Sequence, residues 1–304
     1  MSKVSFISSQ DRKYNIDRAL SLIKGEVITG LKHAKKVVVK PNCVVGDNQL
    51  AATHKDTLDA ILEFIFPHVK SQIILAEGSG IGETSVAFRN YNYFDLQEKY
   101  NFAFIDLNTD EFKTIKLVNK KGKEWNAQVA KTILESDYLI SVTIPKTHDS
   151  VVYTGGVKNT AVGSLLRPQG GFAARLATKF GVVMNNKAMI HQGNNATNEN
   201  IARLSNKIKV NLSVLDGFEA MQGNGPVNGE AYPSNWAIVS SDALAADLLA
   251  MTMMGIRVDD VGYLYQLSDD KKYEEPFIIG DDWKKKIHKF KMHSNFEQQR
   301  IWRT

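Results

Sequence analysis

Two lysines and an imidazole stand close together in the middle of the chain: Lys146, His148 and Lys158. The first two belong to Pro145-Lys146-Thr147-His148 and the third to Thr154-Gly155-Gly156-Val157-Lys158-Asn159. An ammonium attracts an anion, and an imidazole moves a proton near neutral pH, so the pair suits acid–base work on a carboxylate or phosphate. Gly155 and Gly156 would let backbone amides approach such a group, with Thr154 and Asn159 as further hydrogen-bonding partners. The spacing is not that of a P-loop. A solvated turn, with Lys146 spent on Asp149, would use the same residues.

Further polar clusters follow short apolar runs. Lys40-Pro41-Asn42 offers Lys40 and Asn42 to an anion, and Glu77-Gly78-Ser79-Gly80 offers Glu77 as a base beside amides at Gly78, Ser79 and Gly80. The glycines lack the third member of the dinucleotide fingerprint. Lys187 and His191 lie on one polar stretch, and Asp216 opens a long turn-rich segment as a catalytic acid, an orienter of a histidine or a structural residue. Cys43 has no histidine beside it in sequence. With one cysteine in the chain, a cysteine-based metal cage is excluded, and no metal ligands are assigned.

The elements that would position these residues alternate short apolar runs with amphipathic stretches, as strand–helix–strand units do. Strands are expected at 4–8, 36–41, 72–76, 102–107, 138–144, 212–215 and 236–239. Helices are expected at 15–31, at 53–66 with Thr53 as N-cap, at 200–208, and from Asp242 to Met254, ending at Gly255. Residues 112–128 read as a hairpin outside the parallel set. The fold class is α/β, a mostly parallel central sheet flanked by helices, with residues 1–282 as one domain, 151–200 a loop-rich insertion and 283–304 a helical basic tail. Ligands of open α/β sheets bind outside the carboxyl ends of the strands, so the clusters at those ends should converge on one cleft.

The bulk numbers set limits. With 43% apolar and 23% charged residues the 304-residue chain is an ordinary globular one. No apolar run reaches the roughly 18–20 residues of a membrane span, and the polar N-terminus is no secretory signal, which fits a cytoplasmic protein. The net charge is +5, while the stretch from Trp283 to Thr304 holds seven Lys/Arg and one Glu, +6 in all, leaving −1 for the rest. Nucleic acid is therefore not expected as a partner, and oligomeric state cannot be read.

Taken in order, the blocks Val-Val-Lys-Pro-Asn (38–42), Glu-Gly-Ser-Gly (77–80), Pro-Lys-Thr-His (145–148), Thr-Gly-Gly-Val-Lys-Asn (154–159), Lys187/His191, Asp-Gly…Gly-Asn-Gly-Pro (216–226) and Ser-Asp-Ala-Leu-Ala-Ala-Asp (241–247) resemble the DUF362 family. The family is largely uncharacterised. Many members carry a ferredoxin-like iron–sulfur domain, which implies an external electron donor. This chain lacks those cysteines, so no intrinsic iron–sulfur cluster is expected and the cofactor stays unknown. Relatives often have a second lysine before the histidine motif, where only Lys146 stands here. His148, the Gly-Gly turn and Lys158 also resemble, more distantly, nickel-pincer lactate racemases, in which the lysine carries the cofactor and histidines exchange protons and bind metal.

The expectation is an enzyme, an oxidoreductase or an isomerase or lyase, acting on a small anionic substrate by proton or electron transfer. Lys146 and Lys158 would hold the anion, His148 would move the proton, and Glu77 or Asp216 would assist. The alternatives are a binding module that docks an acidic partner or nucleic acid through its tail, and a metal- or pincer-cofactor-dependent isomerase.

Overall fold

In the computed structural model of the chain, residues 2–167, 185–270 and 274–303 are described. The strands in the first half are β1 (Lys3–Ser8), β2 (Val37–Lys40), β3 (Ile73–Glu77), β4 (Phe102–Asp106), β5 (Phe112–Val118), β6 (Glu124–Ala130) and β7 (Tyr138–Thr143). They continue with β8 (Lys146–His148), β9 (Val152–Thr154), β10 (Leu212–Gly217), β11 (Ala220–Asn224), β12 (Asn228–Tyr232), β13 (Trp236–Ser240) and β14 (Phe277–Gly280). Eight form one sheet in the order β14-β1-β13-β10-β7-β2-β3-β4. Every neighbouring pair is parallel except those made by β13, which runs against both β1 and β10. The protein is therefore α/β with a mostly parallel sheet.

The central strands β2 and β7 are buried at every position, which is why their sequences are mostly apolar and do not alternate polar with apolar residues. One core packs on each face of this sheet. Val38, Leu139, Leu215 and Ile238 belong to one, and Val37, Val39, Ile140 and Val142 to the other. The expected hairpin is the separate two-stranded sheet β5-β6. A four-stranded sheet, β12-β11-β8-β9, sits beyond the end of β7 and carries Lys146 and His148.

Several local expectations change. The stretch 15–31 is two helices, Arg12–Leu22 and Lys24–Leu31, broken at Ile23, whose φ of −114° and ψ of 19° are non-helical. The helix Lys55–Ile65 is capped by His54, whose Nδ1 accepts the Asp56 amide. Thr53 is spent elsewhere: its hydroxyl accepts the Asn42 amide at 2.9 Å and donates to the Val142 carbonyl at 2.9 Å, tying β2's exit to β7. Asp242 caps Ala243–Met253 as expected, accepting the Leu244 and Ala245 amides.

Of 151–200, residues 168–184 lie outside the described residues. The remainder holds β9 and the helices Gly156–Gly163, Asn186–Met189 and Asn194–Ser205, the first packed on β7. The basic tail is not a terminal helix. Between a short 3-10 turn at Trp283–Lys286 and one helical turn at Phe296–Gln299 it runs extended over the body, with Phe290 and Trp302 buried. Those two apolar anchors fix its path; its lysines remain on the outside.

Candidate functional site

Because seven of the eight strands run the same way, the ends of β2, β3, β4, β7 and β10 share one edge of the sheet. There Lys40, at the end of β2, meets Glu77, at the end of β3, with 2.5 Å between Nζ and Oε2. Lys40 also donates to Asn159 Oδ1 at 3.0 Å and to the Pro41 carbonyl. Asn42 then bridges outward, donating to Asn159 Oδ1 and accepting Lys146 Nζ at 2.5 Å. Lys40 and Lys146 are completely buried in this network. Burial raises the Glu77 carboxyl, with Lys40 and Lys187 opposing the rise. Burial, then the neighbouring Lys158 charge, pushes Lys146 down to about 7.

Above this polar floor opens a cavity of about 550 Å³, lined on one side by Thr154, Lys158, His148 and His191 and on another by Glu77, Gly78 and Lys187. Lys158 Nζ lies 2.9 Å from His148 Nε2. His148 Nδ1 stands 3.0 Å from Asp149 Oδ1 and 3.0 Å from the Ser150 amide nitrogen. A neutral imidazole carries one N–H, so two arrangements fit. With the proton on Nδ1, the ring donates to Asp149 and Nε2 accepts from the Lys158 ammonium. With the proton on Nε2, Nδ1 accepts the Ser150 amide and Nε2 donates to a neutral Lys158 amine. The second holds one proton fewer than the first: Nε2 takes a proton from Lys158 and Nδ1 releases its own.

The electrostatics keep this pair poised. Burial lowers Lys158 to about 8. Burial and then the Lys158 charge hold His148 down at about 3, so the ring is neutral at pH 7. Its hydrogen bond to His148 holds Asp149 well below the usual carboxylate range. The His191 ring lies parallel to that of His148, tilted 8° with centroids 6.2 Å apart. Its Nδ1 is 2.7 Å from the Lys187 carbonyl, which can only accept, so the His191 proton sits on Nδ1 and Nε2 keeps its lone pair. Lys187 donates to the Gly78 and Gly163 carbonyls, and burial lowers it to about 7. The buried Thr154 hydroxyl has no hydrogen-bond partner among the described residues.

Of the residues singled out from sequence, His148, Lys158, Glu77, Asn42, Gly78, Gly80, Thr154, Asn159, Lys187 and His191 line the cavity. Lys40 and Lys146 support it from below. The glycine turns act differently from the expectation. The Gly156 and Val157 amides are taken by the buried Asp247 carboxylate at 2.7 and 3.0 Å, so this helix start is already capped by protein. A Cβ on Gly155 would stand 2.2 Å from Asp247 Oδ1, and one on Gly156 2.2 Å from Ser213 Oγ. Both glycines serve close packing. Likewise the Ser79 amide is bonded to Thr84 Oγ1 and the Ile81 amide to the Val44 carbonyl, while Gly78 makes room for Lys187 Nζ. Asp216 is outside the lining: its carboxylate accepts Thr57 Oγ1 at 2.5 Å and pairs with Arg12 Nε at 3.2 Å. Cys43 lines the cavity, yet burial pushes its thiol up to about 12, which keeps it un-ionised.

Sequence reasoning assigned no role to Asp247, Arg167 or His293, and offered Asp149 to Lys146, whereas it stands against His148 and Lys146 donates to Asn42. An aspartate inside the apolar run Ala-Leu-Ala-Ala-Asp-Leu-Leu was the signal for Asp247, since a buried carboxylate needs donors. Arg167 donates from Nε to the Ser79 carbonyl and lines the cavity. His293 reaches it from the tail. No local signal marks a contact made by a segment folding back from so far along the chain. Among the described residues, no three or more His, Cys, Asp or Glu side chains are gathered as metal ligands, and no helix is long and apolar enough to cross a membrane.

A family model described as "Domain of unknown function (DUF362)" matches residues 37–252. A thylakoid-associated protein of Synechocystis sp. is 22% identical over 224 residues, covering 72% of this chain and 63% of that protein. The lactate racemase apoprotein from Thermoanaerobacterium thermosaccharolyticum aligns with a TM-score of 0.50 and 16% identity, over 84% of this chain and 57% of that one. A protein from Thermotoga maritima aligns with a TM-score of 0.46 and 15% identity, over 86% of this chain and 60% of that one. The chain thus spans less than two thirds of the length of each.

Proposed function

The chain belongs to the DUF362 family, whose description carries no activity, and from the chemistry of the cleft we propose that it is an enzyme transferring a proton to or from a small carboxylate- or phosphate-bearing substrate. The observation that carries this reading is the 2.9 Å contact between Lys158 and His148 on the wall of a cavity. Lys158, lowered to about 8, can release its proton close to neutral pH, and the neutral imidazole beside it offers a lone pair to the ammonium. In this reading Lys158 and Lys187 attract the anion, the unpartnered Thr154 hydroxyl orients it, and His148 passes the proton with Asp149 fixing its ring. Glu77, raised by burial and held by Lys40, is the second acid–base group, beside Lys187. The likeness to a racemase fold favours the isomerase form of the reaction, in which the exchanged proton lies on the carbon next to the carboxylate.

A pincer-type cofactor attached to Lys158 is the competing isomerase reading. Lys158 suits attachment, because its lowered ammonium faces the cavity. The described residues do not gather three His, Cys, Asp or Glu ligands around it, so no step is assigned to a metal.

Incubation of the purified protein in D2O with a panel of 2-hydroxy carboxylates, followed by proton NMR, tests the proposal. At least one member is expected to exchange its α-proton, with Lys158→Met and His148→Gln each slowing exchange by about 10²-fold or more. An exchanging substrate on which both variants work as well as the parent would refute the assignment.

A further inference from the structure

The cleft is larger than a three-carbon acid requires. At roughly 30 Å³ for each water-sized atom in a liquid, 550 Å³ accommodates on the order of 18 non-hydrogen atoms, and lactate has about a third of that number. The lining is also uneven. Lys158, His148, His191 and Thr154 gather together, whereas Val44, Ile81, Pro226 and Val227 form an apolar wall, bordered by Arg167, which donates to the Ser79 and Gly82 carbonyls on either side of Ile81. That wall is continuous: the Ile81 amide bonds to the Val44 carbonyl, and Val44 and Val227 pack on the same small apolar cluster of Val45, Ala51 and Met221. Val162, one helical turn after Lys158, extends apolar surface toward the ammonium. Ile81 is 64% exposed, an apolar side chain left in water at the rim.

Resting on the proton-transfer reading above, we infer that the substrate is an amphiphilic anion, a carboxylate or phosphate head joined to an apolar body that lies along Val44, Ile81, Pro226 and Val227. The charged end sets where the reacting carbon stands. The apolar wall selects for size, and a head without a body would leave most of the cavity to water. Such division of labour, a few polar groups fixing orientation and apolar surface supplying affinity, is the usual design of a small-molecule site.

The test is isothermal titration of the full chain with straight-chain carboxylates from acetate to octanoate, and in parallel with n-alkyl phosphates. Complete transfer of a methylene is worth about fourfold in affinity, and a half-open wall should give about twofold. Octanoate is therefore expected to bind at least about 60-fold tighter than acetate, and the tighter of the two series names the head. Ile81→Glu, at an exposed position that folding tolerates, should reduce that ratio below about tenfold, and Val227→Asp should do the same. Measurable but flat binding along both series overturns this inference alone, as does a ratio that survives both substitutions. Failure of every member to bind, or acetate binding that persists undiminished in Lys158→Met, overturns the anion site itself and the proton-transfer reading with it.

Discussion

Lys146→Met isolates the cost of a buried ammonium. Lys146 is completely buried, it donates to the neutral Asn42 Oδ1, and its pKa falls from 10.5 to about 7. Below pH 7 the folded and unfolded chains both carry this proton, so the penalty for burying the charge is present in full. From about pH 7 to 10.5 the unfolded chain keeps the proton while the folded one releases it, and stability rises with pH. The shift of 3.5 units corresponds to about 5 kcal/mol. Methionine abolishes that term but strands Asn42 Oδ1, a pH-independent loss of about 1–3 kcal/mol. The variant should then be more stable than the parent by about 2–4 kcal/mol at pH 6 and less stable by about 1–3 kcal/mol at pH 10, so that the two curves cross. Urea unfolding followed by circular dichroism at several pH values between 6 and 10 measures both curves. Parallel curves, offset by the same amount throughout, would refute the reasoning.

Other consequences are equally direct. Asp247→Ala leaves the buried Gly156 and Val157 amides without their acceptor, and should cost about 3–5 kcal/mol in chemical denaturation; a loss under 1 kcal/mol contradicts the capping role. Gly155→Ala drives a methyl group against Asp247 and the Tyr153 hydroxyl and should cost about 2–3 kcal/mol by the same measurement. Gln299→Ala removes the acceptor of the Val152 amide, 2.6 Å away, at a β-branched residue with φ of +68°. Hydrogen exchange by mass spectrometry should show protection lost at 149–153 with the central sheet unchanged, and equal protection would exclude this role for Gln299. Cys43, held un-ionised near 12, should resist iodoacetamide at pH 8 until the chain is unfolded.

The sheet and the convergence of its strand ends were legible because they follow from local pattern. Runs such as Val37-Val38-Val39 can only be strands covered on both faces, and polar residues directly after them must emerge at one edge. What the glycines do was not legible. A Gly-Gly turn before a helix looks alike whether its amides face an anion or a carboxylate of the protein, and here Asp247, far away in sequence, takes them. Asp216 ends a strand as Glu77 does, yet Arg12 and Thr57 from other helices claim it. The charge run of the tail suggested a solvated helix, because the burial of Phe290 and Trp302 depends on surfaces that only the folded body provides.

Strand β1 lies between β13 and β14, both contributed by the last quarter of the polypeptide. During synthesis the first strand must therefore wait for a partner until β13, at 236–240, has left the ribosome, and its other edge stays open until β14, at 277–280, has followed. Such long-range closure slows folding and leaves an apolar edge uncovered in the nascent chain. A fragment limited to the family-matched residues 37–252 would keep most of the cavity-lining side chains but neither β1 nor β14, and the far edge of the sheet would end at β13.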